Sequence, residues 1–169
     1  MGALLVLMVA GAATSVLLGV AGRRGIGRGW IVAETAMLAA MLDVHVPALQ
    51  VLPALVWSVL LAGCALTAAL ADRVSRGRPG RRHQADALHA VGMLLAAALV
   101  LVAPLPAASP EAAHAHGGGL ALPLGVAVAA YAACTVHAAL AGRPGRLDTT
   151  RRLASLTGIV AMGAMVAVG

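Results

Sequence analysis

Apolar residues in this chain come in long, nearly unbroken runs. Six can be drawn, over residues 3–21, 30–46, 49–71, 85–103, 120–141 and 152–169. Each is close to the roughly 17–25 residues that a helix needs to cross the hydrocarbon core of a bilayer. The runs lack period-two alternation and are dominated by Ala and Leu, which favours helices over the strands of a membrane barrel. Asp43-Val44-His45-Val46-Pro47 joins the second and third runs, and Pro47 and Pro53 argue for a tight turn there instead of one long helix. The pattern predicts an all-α, six-helix transmembrane bundle forming a single domain over residues 1–169.

Composition agrees with that expectation. The 169 residues are 61% hydrophobic and 11% charged, whereas soluble domains carry about a quarter charged residues. A water-soluble enzyme is excluded. The net charge of +6 would suggest nucleic acid in a soluble protein, but every basic residue is an arginine placed between apolar runs. Arg23, Arg24 and Arg28 follow the first run; Arg73, Arg76, Arg78, Arg81 and Arg82 follow the third; Arg143, Arg146, Arg151 and Arg152 follow the fifth. Alternate connections of a six-helix bundle lie on one side, so the positive-inside rule puts all three in the cytoplasm and both termini outside, in a multi-pass cell-membrane protein. The first run has no basic residues ahead of it, which predicts a spanning helix and no cleaved signal peptide. Cys64 and Cys134 lie within apolar runs and read as small packing residues, not as a disulfide. The connection over residues 104–119 falls on the outer side, and its Pro and Gly content keeps it out of regular structure.

Candidate chemistry lies on helix faces. In the second run Glu34, Met37, Met41 and His45 recur at spacings of 3, 4 and 4, which at 100° per residue holds them in one stripe, with Asp43 on the opposite side. The fourth run repeats the arrangement with Asp86, His89 and Met93, and the sixth adds Met162 and Met165. Methionine is a flexible core filler, so packing is the plain reading of these residues. Thioethers and imidazoles on facing helices also suit Cu(I) above hard cations. Glu34, His89 and His137 are ionisable groups inside apolar runs, each near one cytoplasmic-side helix end, and such residues read as functional by default. The outer connection adds Glu111, His114 and His116, two imidazoles and a carboxylate within six residues, next to Gly117-Gly118-Gly119. His83 reads as a solvated loop residue.

The segments Glu34-Thr-Ala-Met37-Leu-Ala-Ala-Met41, Asp86-Ala-Leu-His89-Ala-Val-Gly-Met93 and Met162-Gly-Ala-Met165, with the His-bearing outer connection, resemble an actinobacterial family of small six-helix integral membrane proteins known only as a domain of unknown function. The resemblance covers nearly the whole chain. It implies the six-helix architecture and, through His and Met at corresponding points, copper handling. This chain differs from the family pattern in having no Met in its outer connection.

The sequence supports a soft-metal reading in which Met37, Met41, Met93, Met162 and Met165 supply thioethers, His45, His114 and His116 act at the outer end, and Glu34, His89 and His137 form an inner gate for Cu(I). A b-type haem held by His89 and His137 is the second reading, since bis-imidazole ligation needs two His at matching depth on neighbouring helices. A non-catalytic accessory or assembly subunit of a larger membrane complex is the third. No nucleophile elbow, phosphate-binding loop or zinc-protease motif is present, so no enzymatic activity is expected. The expected partners are the lipid bilayer and a metal ion, not nucleic acid. Small residues all round the helices are compatible with a homo-oligomer without locating its interface.

Overall fold

The computed structural model describes residues 2–21, 28–75, 83–103, 118–141 and 146–168. They form six α-helices: α1 (Gly2–Ala21), α2 (Arg28–His45), α3 (Ala54–Ser75), α4 (His83–Val102), α5 (Gly118–Ala141) and α6 (Arg146–Val168), with a 3-10 turn at Pro47–Leu49 between α2 and α3. The connection bearing Glu111, His114 and His116 lies outside the described residues.

Four segments are long and apolar enough to cross a membrane: Gly2–Ala21, Ala54–Ala71, Leu122–Ala141 and Arg146–Val168. In α4 the apolar stretch is the shorter Ala87–Val102. α2 carries Arg28, Glu34 and Asp43 within its 18 residues. The packing order explains why these two helices can be more polar. Neighbours in sequence pack side by side from α1 to α6, α6 closes the ring on α1, and α4 crosses the interior to touch both α2 and α6. α3 and α5 lie at the periphery and show most of their surface outward. That outer surface is apolar, with Val6, Leu17, Leu55, Leu66, Leu122 and Leu140 all exposed. Apolar surface of this extent marks a lipid-facing or partner-covered protein.

The closest seam is between the first and last helices. α1 buries Met8, Gly11, Ala12, Ser15 and Gly19, and α6 buries Ser155, Leu156, Gly158, Ile159, Ala161, Met162 and Met165. Gly11, Ser15 and Gly19 recur every fourth residue, the small-residue spacing that lets two backbones approach within lipid, where packing and not water exclusion drives association.

Two helix starts differ from the sequence expectation by five residues or more. α6 starts at Arg146, six residues earlier than the apolar run, because Asp148 pairs with Arg151 at 3.0 Å and with Arg152 at 2.9 Å along one helix face. Arg73, Arg146, Arg151 and Arg152 thus belong to helices and not to connections. α3 starts at Ala54, five residues later than expected, and Asp43 is the cause. Its carboxylate accepts hydrogen bonds from the Val51 N–H at 2.6 Å, the Leu52 N–H at 3.1 Å and the Trp57 indole N–H at 2.7 Å. Asp43 therefore ties the end of α2 to the start of α3, opposite the methionine stripe. Asp43→Ala leaves those donors unpaired, and Asp43→Asn keeps one acceptor oxygen. The expected order of unfolding temperature in detergent is wild type, Asn variant, Ala variant; equal temperatures for wild type and the Ala variant would remove this role.

Candidate functional site

Every methionine after Met1 points into the bundle. Met8, Met37, Met41, Met93, Met162 and Met165 are buried in one contiguous core cluster supplied by α1, α2, α4 and α6. The helical spacing of Met37 and Met41 accounts for this on α2, and the inward face of α4 does so for Met93. His45 closes the C-terminal end of the α2 stripe. It is half-buried, and its Nδ1 lies 3.0 Å from the Met41 carbonyl oxygen. With Nδ1–H donating to that carbonyl, Nε2 keeps its lone pair, the arrangement usual in metal-binding histidines.

The other end of the stripe is polar. Glu34 is fully buried, and its Oε1 accepts a hydrogen bond of 3.3 Å from the Ser155 hydroxyl of α6. The same oxygen lies 3.5 Å from Nδ1 of His89 on α4. Ser15 of α1 and Arg151 of α6 are also near enough to act on the Glu34 carboxyl. The His89 imidazole tilts against the Trp30 indole at a centroid distance of 5.4 Å, and the Arg151 guanidinium sits 4.2 Å above the same indole. Trp30 fits there because Gly19 has no side chain: a Cβ at Gly19 would stand 2.3 Å from the ring. α5 contributes Tyr131, whose hydroxyl rests against Gly92 of α4, and the buried Thr135.

These side chains line a partly open cavity of about 50 Å³, formed by Trp30, Glu34, His89, Tyr131, Thr135, Arg151, Arg152 and Ser155, with Leu88 among its apolar lining. Four buried polar atoms on or beside it have no protein hydrogen-bond partner: Ser15 Oγ, Glu34 Oε2, His89 Nε2 and Thr135 Oγ1. Two cations and two carboxyl groups meet in this region: Asp148 pairs with Arg151 and Arg152 one turn along α6, and Glu34 of α2 interacts with Arg151.

The structure therefore brings together part of the expected set. Glu34 and His89 meet, as two members of the inner layer. His137 does not join them: it is exposed on α5, while Thr135, two residues and 200° away, faces the cavity. The bis-imidazole pair that a haem would need is thus not formed by His89 and His137, because the twist of α5 turns His137 outward. Cys64 is half-buried and Cys134 exposed. Only the backbone of Asp86 is described. Among the described residues no group of three or more His, Cys, Asp or Glu side chains is arranged to hold a metal ion. Sequence reasoning missed Trp30, Tyr131, Thr135, Arg151, Arg152, Ser155 and Ser15. A signal existed for two pairs, since Trp30 precedes Glu34 and Arg151 precedes Ser155 by four residues, which puts each pair on one face.

No protein-family model, no curated protein and no solved structure matches this chain. The fold and the cavity define an all-helical bundle with four helices, among the described residues, long and apolar enough to cross a membrane, a methionine core and a buried carboxylate–imidazole pair at one end of it.

Proposed function

We propose that this chain is a multi-pass membrane protein that binds or passes Cu(I) along its methionine core. The observation that carries the reading is the burial of Met37, Met41, Met93, Met162 and Met165 in one cluster from three inner helices. Cu(I) accepts two to four soft ligands that can replace one another, so a column of thioethers gives it successive weak stations and no deep trap. His45, with Nδ1 engaged by the Met41 carbonyl, supplies an imidazole Nε2 at the outer end, and His114 and His116 extend that donor set. Glu34 and His89 stand at the inner end, where an ion leaving the thioethers meets oxygen and nitrogen. The resemblance to an actinobacterial family of small six-helix Met/His-bearing membrane proteins of unknown function is compatible with this reading.

Purified protein loaded with Cu(I) under reducing conditions should retain at least one copper per chain against a competing chelator, with no Soret absorption. Copper below one per chain, unchanged by replacing His45 or Met41, would sink the reading and put the accessory-subunit alternative ahead.

In the membrane the chain makes six passes, with the arginine-bearing connections in the cytoplasm and both termini outside. The one-sided arginine distribution supports this. Single cysteines introduced near Arg76 and Arg146, in a chain without Cys64 and Cys134, should resist impermeant thiol reagents added to intact cells and react after lysis. Labelling from outside would reverse the topology.

A further inference from the structure

The cavity beneath Trp30 carries an inference that goes beyond copper. We propose that it is a gated aqueous vestibule: a few water molecules held by Glu34, His89, Ser15 and Thr135, separated from the arginine-bearing end of the bundle by the Trp30–Arg151 stack.

Three observations meet here. The cavity volume of about 50 Å³ exceeds the roughly 10–15 Å³ that one water needs. Its polar wall holds Glu34 Oε2, His89 Nε2 and Thr135 Oγ1, none of which has a hydrogen-bond partner in good geometry; the Ser15 hydroxyl lies near the Glu34 carboxyl and the Thr135 hydroxyl near Tyr131, each with capacity left for water. A buried water makes two to four hydrogen bonds, and these atoms supply them. An apolar cavity would stay dry; this one leaves buried polar atoms without partners unless water reaches them, and such atoms are costly to leave unsatisfied.

Position supplies the gate. Trp30 precedes Glu34 on α2, and Arg151 precedes Ser155 on α6, by one helical turn, or about 6 Å toward the ends that bear arginine. The guanidinium at 4.2 Å over the indole covers the Glu34 layer from that side. Asp148, bound to both Arg151 and Arg152, holds the cover in place. About one helical turn beyond Glu34 and His89, Met37 and Met93 are both buried. The groups acting on Glu34 are Ser15 from α1, His89 from α4, and Ser155 and Arg151 from α6, while Tyr131 and Thr135 from α5 and Arg152 from α6 line the same cavity. Under the copper reading, the vestibule is where an ion exchanges thioethers for water, and that consequence alone rests on the reading.

The test uses metal-free full-length protein in lipid nanodiscs, where both faces are accessible, so neither topology nor copper affects the outcome. In a background lacking Cys64 and Cys134, Thr135→Cys and Ala161→Cys are treated with methyl methanethiosulfonate, a small neutral reagent. The cysteine thiolate attacks the sulfenyl sulfur of the reagent, forming a methyl disulfide and releasing methanesulfinate, and a thiol ionises readily only where water solvates the charge. Thr135→Cys should react at least about tenfold faster than the core control Ala161→Cys, and adding Trp30→Ala should accelerate it further. Should Thr135→Cys fail to fold, Ser155→Cys reports on the same cavity. Equal, slow rates at the cavity and core positions would mean a dry cavity and overturn the proposal. A fast rate unaffected by Trp30→Ala would overturn the gate. Loss of copper binding in the companion titration would leave either result standing.

Discussion

Replacing Gly11 with alanine should destabilise the bundle by about 1–3 kcal/mol, and replacing it with leucine should prevent α1 from docking at all. A Cβ at Gly11 would stand 2.7 Å from the Ala154 carbonyl oxygen and 3.0 Å from the Gly158 amide nitrogen. Both are backbone atoms of α6, so no rotamer change can relieve the clash and the two helices must separate. The seam they form is the most extensive in the bundle, joining the first helix to the last. Gly63 and Gly125 provide the control, since a Cβ at either meets nothing within 4 Å. Alanine at those positions should be neutral or stabilising by up to about 1 kcal/mol, because Gly is the poorer helix former. Thermal unfolding in detergent followed by circular dichroism measures all three. Gly11→Ala matching Gly125→Ala would mean that the α1–α6 approach is looser than described.

Truncating Met41 has the next largest expected effect, and it separates packing from ligation. Met41 is fully buried, and its methyl carbon lies 3.9 Å from where a Cβ on Gly158 would be. Met41→Ala leaves a cavity and should cost about 2–5 kcal/mol. Met41→Leu nearly conserves volume and should cost under about 1.5 kcal/mol. If Met41 serves only to fill space, the leucine variant behaves as wild type in every assay. If it is a thioether station, that variant unfolds like wild type yet loses Cu(I) retention, because carbon cannot replace sulfur as a ligand. Chelator competition on the folded leucine variant decides between these outcomes.

The all-helical architecture was legible in the sequence, because long apolar runs of Ala and Leu leave the backbone no other way to satisfy its hydrogen bonds within lipid. The inward direction of Met37, Met41 and Met93 was legible too, since helical spacing puts them on the same faces as Glu34 and His89, which lipid would not solvate. The sequence could not show which faces meet. His137 and His89 occupy comparable depths along their helices, yet the rotation of α5 turns His137 outward and Thr135 inward. Asp43, opposite the methionine stripe, looked peripheral until the turn folded back and brought the Val51 and Leu52 amides and the Trp57 indole onto its carboxylate. Arg151 and Arg152 read as markers of membrane sidedness. Asp148, three and four residues before them, was the local cue that they continue a helix.

Local composition and period thus determined the elements and the faces they bury, since both follow from the energy of single helices in water or lipid. The cavity depended on something else. Glu34 comes from α2, His89 from α4, Tyr131 and Thr135 from α5, and Arg151 and Ser155 from α6, and their meeting depends on how closely the helices approach. That closeness is set by the absence of side chains at Gly11, Gly19 and Gly92, where α6, the Trp30 ring and the Tyr131 hydroxyl fill the space. The order and rotation of packed helices are collective properties of the whole bundle, so only the tertiary structure decided them.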